Sequence, residues 1–196
     1  NNIDVIYNAV EFEDANEIIK KNKFRIITVA RLIPLKGIET ILRTLSNISF
    51  DFEYIIIGDG FLKNKLKIMS NSLNLDTKFL GNISKKEVAN WLRSSDICIQ
   101  NSSHETMPHV LLEAMENNCP VIASRVGGTP EIVTHEKNGL LFEHNNIEEL
   151  LSKIIQIKEN NDFRSQLVNE GVSFTRESSD VNVMVEKYIK VIEGLS

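Results

Sequence analysis

The strongest constraint on the fold is the alternation of short apolar runs with longer amphipathic runs between about Phe24 and Phe142. The first apolar run, residues 25–30, is rich in β-branched residues and apolar on both faces, which predicts a strand that is buried on both sides. The run that follows it, residues 37–46, has apolar residues at helical spacing. We therefore predict an α/β fold, a doubly wound six-stranded parallel sheet with helices on both faces.

The remaining elements follow from the same patterns and from turn residues. Ser84 and Glu87 have the spacing of a capping box, which predicts a helix beginning at that serine. From Asn145 onward the pattern is helical only, and Gly171 is expected to end a helix that begins near Asp162. The predicted strands are residues 25–30, 52–57, 77–80, 96–100, 120–123 and 140–142.

The chain of 196 residues has the size of one domain, and no internal repeat or low-complexity linker divides it. We divide this single domain into a linker-like segment (1–20), a sheet core (24–142) and C-terminal helices (145–196). No apolar run approaches the roughly 20 residues that a bilayer span needs.

Charge and cysteine usage exclude several classes of function. Acidic residues outnumber basic ones 27 to 22, and the bases are scattered, which disfavours a nucleic-acid surface. A single phosphorylated ligand needs only one or two cations, so it stays possible. Cys98 and Cys119 lie in apolar runs without metal-ligand spacing, which predicts buried, reduced thiols and a cytoplasmic protein. The four histidines lack the spacing of a metal site or a catalytic dyad, so no metal or cofactor is expected.

The loops that follow strands carry the candidate site residues, because a parallel sheet binds ligands at the carboxyl ends of its strands. Arg31 and Lys36 follow the first strand, and the second of them directly precedes a helix. They have two interpretations, an anion site or ordinary solvated loop cations. Gly58, in the Gly58–Gly60 turn after the second strand, either lets a ligand approach the backbone or forms a plain turn.

The segment after the fourth strand contains the densest set of polar residues. Pro108 predicts a helix start at about Met107, which would leave the amides of residues 109–111 free to bind an anion. Glu105 and Glu113 bracket this helix start. Eight helical steps would separate them by about 12 Å, too far for a paired-carboxylate mechanism. Separate contacts with sugar or ribose hydroxyls are therefore expected, with a surface role for Glu113 as the alternative.

Together these segments resemble the C-terminal, donor-binding domain of retaining GT-B-fold glycosyltransferases, specifically family 4 or glycosyltransferases group 1. The resemblance implies a Rossmann-like sheet and an N-terminal acceptor-binding half that lies upstream and is absent here. Two departures concern donor identity, Ala30 and the Thr106–Pro108 stretch, where the family commonly has glycine. The segments that carry the resemblance are residues 29–37, 55–60, 79–81, 105–115, 119–124, 127–133 and 138–142, together with residues 5–10, which resemble the family's interdomain linker.

The resemblance also implies roles for individual residues. Arg31 and Lys36 would hold the donor diphosphate, Glu105 would contact the sugar hydroxyls, and these three would be catalytic. Glu113 would take the ribose hydroxyls. The other implied donor contacts are Thr106, Met107, His109, Val110 and Leu111 near the phosphate or sugar, and Gly81, Asn82 and Ile83 near the base.

We therefore expect a nucleotide-sugar-binding domain, with a UDP-sugar favoured as donor, that serves retaining, metal-independent hexosyl transfer to a glycan or lipid-linked acceptor. The isolated chain is expected to be inactive without its N-terminal half, and that half would supply any contact with the inner face of a membrane. The alternatives are a non-catalytic sugar-nucleotide-binding subunit and a GT-B-fold epimerase. The presence of all four charged residues, Arg31, Lys36, Glu105 and Glu113, disfavours the non-catalytic alternative.

Overall fold

The computed structural model describes residue 13, residues 15–178 and residues 181–194. Its strands are β1 (Phe24–Val29), β2 (Phe52–Ile57), β3 (Thr77–Gly81), β4 (Ile97–Gln100), β5 (Val121–Ser124) and β6 (Leu140–Phe142). They form one sheet in the order β3-β2-β1-β4-β5-β6, and every neighbouring pair is parallel. This confirms the predicted doubly wound, six-stranded parallel sheet.

A helix follows each strand, and the chain ends in helices. A short 3₁₀ turn, Pro34–Lys36, precedes the first helix. The Ser84–Glu87 capping box is formed as predicted, with the serine hydroxyl and the glutamate carboxylate each accepting a backbone amide. The helices are α1 (Ile38–Leu45), α2 (Lys63–Ser72), α3 (Lys85–Arg93), α4 (His109–Glu116), α5 (Thr129–Ile132), α6 (Ile147–Glu159), α7 (Asn161–Ser178) and α8 (Val181–Gly194).

The sheet has an apolar core on each face. Alternate strand residues point to opposite faces, so Ile26 and Ile56 join the core under α1, α2 and α6, whereas Ile27 and Ile55 join the core under α3, α4 and α5. Cys98 lies in the second core, where burial raises the pKa of its thiol to about 12. Both cysteines are buried and unbridged, as the sequence predicted.

Arg25 departs from the prediction that the first strand is apolar on both faces. Its side chain is buried, and its Nε donates to Glu53, the residue opposite it on β2, at 2.7 Å. The guanidinium also donates to the carbonyls of Ile19 and Lys20 and lies 5.0 Å from the ring centre of Trp91. The charge is thus fully paired, and it anchors the segment that enters the sheet.

The prediction that Gly171 ends a helix is wrong. Helix α7 continues through this position to Ser178. Gly171 is buried, and a Cβ atom there would lie only 3.1 Å from Cγ of Met115 on α4. The glycine therefore permits close packing between two helices, which a sequence pattern cannot distinguish from a helix stop.

The order of the strands defines a switch point between β1 and β4. The chain leaves these adjacent strands toward opposite sides of the sheet, so their loops diverge and leave a crevice at the carboxyl edge. The two loops also touch, because the amide of Ser103 donates to the carbonyl of Leu35 at 2.8 Å. Within residues 15–178 and 181–194, no helix combines the length and apolar character of a membrane span.

Gly58 has a packing role at this edge. Its φ of +123° favours glycine, and a Cβ atom there would lie 2.0 Å from the carbonyl oxygen of Ala30. Gly81 also has a positive φ, +71°, but its Cβ position is open, with Nζ of Lys63 the nearest atom at 3.6 Å. A side chain at Gly81 would therefore cause backbone strain alone, whereas a side chain at Gly58 would cause both backbone strain and steric overlap.

We predict that Gly81→Ala lowers the free energy of unfolding by about 1–2 kcal/mol, the usual cost of a strained backbone conformation. Gly58→Ala should lower it by at least about 3 kcal/mol, because the new methyl group meets a backbone that cannot move aside. Urea denaturation of the two variants tests this difference. Equal losses would contradict the packing role of Gly58.

Candidate functional site

The centre of the candidate site is an ion pair across the switch point. Lys36 ends the 3₁₀ turn after β1, and its Nζ donates to Oε1 of Glu105, in the loop between β4 and α4. Their side chains are only 17% and 12% exposed. Burial alone would raise the pKa of Glu105, but the hydrogen bonds and the charge of Lys36 outweigh it, so the pKa lies below its ordinary value. Glu105 is therefore ionised at neutral pH.

Two residues that the sequence analysis missed bind the same carboxylate. Nε2 of Gln100 and Oγ of Ser102 each lie 2.5 Å from Oε1 of Glu105. Gln100 is the polar last residue of the otherwise apolar strand β4. That position, at the carboxyl end of a buried strand, is the signal that could have identified it.

The loop between β5 and α5 packs directly against the backbone of Glu105 and Thr106. Cβ atoms at Gly127 and Gly128 would lie 1.9 and 1.8 Å from the carbonyl oxygens of Glu105 and Thr106. The amide of Gly128 also donates to the carbonyl of Glu105 at 2.9 Å. Two adjacent glycines are thus needed to bring these loops together, a role that the sequence analysis did not assign to them.

The start of α4 differs from the prediction. The helix begins at His109, and Pro108 precedes it with a non-helical ψ of 83°. Because of this turn, the amide of His109 donates to Met107 and that of Leu111 donates to Pro108. Of the three amides expected to be free, only that of Val110 lacks a hydrogen-bond partner among the described residues. The helix start offers a smaller anion site than predicted.

The other predicted cation, Arg31, lies beside the β2–α2 loop, because the next residue, Leu32, donates its amide to the carbonyl of Asp59 at 2.9 Å. The Arg31 side chain is exposed and makes no ion pair or hydrogen bond with a described residue. The structure thus brings Lys36 and Glu105 together and leaves Arg31 outside their contact. The role predicted for Arg31 stays a prediction.

Glu113 borders a separate pocket of about 80 Å³ beside the carboxyl end of β1. It is half-buried, and its carboxylate accepts no hydrogen bond from a described residue. Burial raises the pKa of Glu113, and the charges of Lys85 and His109 offset part of that rise. The pocket is lined by Val29 of β1, by Lys85, Val88, Ala89 and Leu92 of α3, by Glu113 and Asn117 of α4, and by a second acidic residue, Glu13.

The residues predicted to lie near a base come shortly before the helix that lines this pocket. Gly81 ends β3, Asn82 is exposed, and Ile83 packs against the core under α3 and α4. The helix that follows them carries Lys85 and Val88 into the pocket wall. Thr106 is exposed and Met107 packs partly into the same core. Their predicted contacts with a donor, like those near the base, stay predictions.

The histidines show no catalytic arrangement. His104 is exposed, and Nδ1 of His135 accepts the amide of Leu141 at 3.0 Å, which gives that ring a structural role. In the part of the chain that the structure describes, no three His, Cys, Asp or Glu side chains are grouped to hold a metal ion. Metal independence stays a prediction.

Comparison with known proteins identifies the family. The family described as glycosyl transferases group 1 matches residues 10–173. The chain belongs to this family. An uncharacterized glycosyltransferase of Methanocaldococcus jannaschii is 34% identical over 178 residues, which cover 89% of this chain and 49% of that protein.

The chain is also similar to a galactosyltransferase in sequence and to a solved structure in fold. The UDP-Gal:alpha-D-GlcNAc-diphosphoundecaprenol alpha-1,3-galactosyltransferase of Escherichia coli is 30% identical over 173 residues, or 79% of this chain and 45% of that protein. The crystal structure of Anabaena Alr3699/HepE in complex with UDP and glucose superposes with a TM-score of 0.81 at 23% identity, covering 88% of this chain and 49% of that one. This group 1 glycosyltransferase chain thus spans about half the length of the proteins it matches.

In this group 1 domain, Glu113→Gln should increase the free energy of unfolding at neutral pH by about 0.5 kcal/mol, because it removes a carboxylate whose charge is partly buried. Because burial raises the pKa of Glu113, the protonated form stabilises the fold. That contribution is complete below the unfolded-state pKa and is lost as the pH rises through the folded-state pKa. The advantage of the variant should therefore vanish at acidic pH.

Thermal unfolding across a pH series measures this effect. Glu17→Gln, at an exposed position outside the helices and strands, is the matched control for the loss of one negative charge. If Glu113→Gln were less stable than the wild type at neutral pH, the carboxylate would have a stabilising partner and the interpretation would be wrong.

Proposed function

We propose that this chain is the donor-binding domain of a glycosyltransferase that uses a nucleoside diphosphate sugar, with UDP as the favoured nucleotide. The observation that carries the proposal is the contact between Lys36 and Glu105 across the switch point of the sheet. A group for an anion and a group for sugar hydroxyls thus lie side by side in the crevice. The UDP-linked sugar in the name of the E. coli relative and the UDP in the HepE crystal structure support the choice of nucleotide.

The proposed arrangement separates the parts of the donor. Lys36 and the exposed Arg31 would meet the diphosphate, aided by the amide of Val110 at the start of α4. Glu105 would accept hydroxyl groups of the sugar. The half-buried Glu113, with its unpartnered carboxylate in the adjoining pocket, would accept those of the ribose.

The chemistry follows from charge that builds up as the glycosidic bond breaks. The bond between the anomeric carbon and the diphosphate oxygen breaks, and the bonding electrons leave with the diphosphate. The oxygen of the acceptor hydroxyl forms the new bond to the anomeric carbon, and its proton passes to the departing diphosphate. Fixed positive groups that meet the departing charge lower the barrier, and removing one such group typically reduces the rate about 10²–10³-fold. We infer transfer with retained configuration and without a metal ion, in which Lys36 and Arg31 neutralise the diphosphate.

The proposal for the whole protein goes beyond the matched half. A second half would bind the acceptor, a glycan or a lipid-linked sugar, and close the crevice from above. A cytoplasmic protein acting at the inner face of a membrane fits a lipid-linked acceptor. Donor binding without transfer by the whole protein would instead support a non-catalytic sugar-nucleotide-binding subunit, and conversion of the donor sugar itself would support an epimerase.

We predict that one of UDP, GDP, ADP and TDP, or one of their sugars, stabilises the purified chain in a thermal-shift screen. At several hundred times the dissociation constant, the gain in stability should be about 3–4 kcal/mol. UDP compounds are expected to give the largest shift. A screen in which no nucleotide raises the melting temperature would contradict the proposal.

Lys36→Ala should weaken nucleotide binding to the chain at least about tenfold, because it removes one charge-assisted contact with the diphosphate. Lys65→Ala is the matched control, since it removes an equal charge and breaks a surface ion pair with Glu39. In the whole enzyme, Lys36→Ala should reduce the turnover rate about 10²–10³-fold. Normal turnover in that variant would overturn the role assigned to Lys36.

A further inference from the structure

Glu105 is held through one of its two carboxylate oxygens. Three donors converge on Oε1, namely Nζ of Lys36, Oγ of Ser102 and Nε2 of Gln100. Oε2 accepts no hydrogen bond from any residue that the structure describes. An ionised carboxylate has about four acceptor positions on its two oxygens. The arrangement therefore fixes the group at one end and leaves the other available to a ligand.

The two neutral donors are buried at the carboxyl edge of the sheet. Gln100 is the last residue of β4 and is 6% exposed. Ser102 is fully buried, and its carbonyl accepts the hydroxyl of Ser124 at the end of β5. Side chains held in this way lose little conformational freedom when they bind Glu105, so they can set the direction of its carboxylate.

Gln100 makes these contacts at a cost to stability. Its Nε2 donates to Glu105 and lies 3.5 Å from Oγ of Ser102, but its own Oε1 is buried and has no partner among the described residues. An apolar residue at the end of this apolar strand would avoid burying an unpaired carbonyl. The structural benefit of a glutamine here is therefore small, and its contact with Glu105 is the feature that explains it.

Neutral donors also suit a site that must bind an anion. Lys36 would serve two partners, Glu105 and, once a donor binds, the diphosphate. A lysine drawn toward the diphosphate would release Glu105, whereas an amide and a hydroxyl have no charge for the diphosphate to attract. Gln100 and Ser102 can thus hold Glu105 while Lys36 changes partner.

We propose that Gln100 and Ser102 are positioning residues, which hold Glu105 by Oε1 so that Oε2 accepts a hydroxyl of the donor sugar. This inference rests on the proposed function, in which Glu105 binds the sugar, and it names the two residues that position Glu105. Gln100 and Ser102 act through Glu105 and touch no reacting atom.

The first test needs no ligand. Titration of the Glu105 side-chain carboxyl by ¹³C NMR should give a higher pKa in Gln100→Leu and in Ser102→Ala than in the wild type. Each variant removes a donor that favours the charged form, while Lys36 of the 3₁₀ turn, the charged group that faces Glu105, is unchanged. The β5–α5 loop faces Glu105 with backbone only. A purely structural role for Gln100 and Ser102 would leave this pKa unchanged.

Ser103→Ala is the matched control, because this neighbouring serine is exposed and its hydroxyl lies 3.5 Å from the carbonyl of Leu35. It should leave the pKa of Glu105 at the wild-type value. Gln100→Met provides a second apolar replacement if the leucine variant does not fold. An unchanged pKa in Ser102→Ala and in the folded Gln100 variant would overturn the proposal.

The second test measures the sugar contact by calorimetry with UDP and with UDP-glucose and UDP-galactose. In Gln100→Leu and Ser102→Ala, affinity for UDP should stay within about twofold of the wild type, since no contact with the nucleotide changes. The additional affinity contributed by the sugar should fall about 5–10-fold, less than the full value of a charge-assisted hydrogen bond, because the carboxylate is misdirected and not removed. An unchanged sugar contribution would overturn the assignment of Oε2.

The two tests separate this inference from the proposed function. If the wild type binds none of the three compounds, the UDP-sugar proposal fails and the assignment of Oε2 to a sugar hydroxyl fails with it. The titration still decides whether Gln100 and Ser102 hold Glu105. If the wild type binds a UDP-sugar and the variants match it in both tests, only the positioning role is wrong.

Discussion

The parallel pairing of β1 with β4 is the constraint on which the site depends. These strands are neighbours in space but are separated by two strands along the chain, so their loops meet at the carboxyl edge. Three contacts join the loops: Ser103 to Leu35, Asn101 to Gly37, and Lys36 to Glu105. The last contact is the one relevant to chemistry, because it places a cation and a carboxylate side by side in a partly buried crevice.

Two charged groups near opposite edges of the sheet, Arg25 and Glu113, differ in how well their charges are paired. At the amino edge, Arg25 is paired with Glu53 and with backbone carbonyls, so its buried charge is compensated. At the carboxyl edge, the carboxylate of Glu113 accepts no hydrogen bond from a described residue, and the side-chain carbonyl of Gln100 is buried without a partner among them. Uncompensated groups destabilise a folded chain unless a ligand pairs with them. The hydroxyl of Thr77, the first residue of β3, is also buried without a partner among the described residues, so the contrast holds for the two charged groups and not for every polar group at the two edges.

Glycine positions show why local patterns mislead near a site. The Gly58–Gly60 turn left two interpretations open, a ligand approaching the backbone or a plain turn, and the structure adds that Gly58 makes room for the carbonyl of Ala30. Gly171 suggested a helix end, yet it makes room for Met115. In both cases the sequence shows that a side chain is excluded. Only the packed structure shows what excludes it, because the neighbour comes from a distant part of the chain.

The sequence by itself determined the class of the fold, a parallel sheet between helices, together with the burial of the strands on both faces and the cap at Ser84. These features depend on periodicity and on contacts within a few residues. It also indicated Lys36 and Glu105 as site residues through their places after strands. Only the tertiary structure decided that these two side chains touch and that Gln100 and Ser102 donate to the same oxygen of Glu105 as Lys36 does. It also decided that, of the amides of residues 109–111, only that of Val110 lacks a partner among the described residues. These features depend on which loops meet and on the angle at which they meet, and neither is encoded in the spacing of residues along one loop.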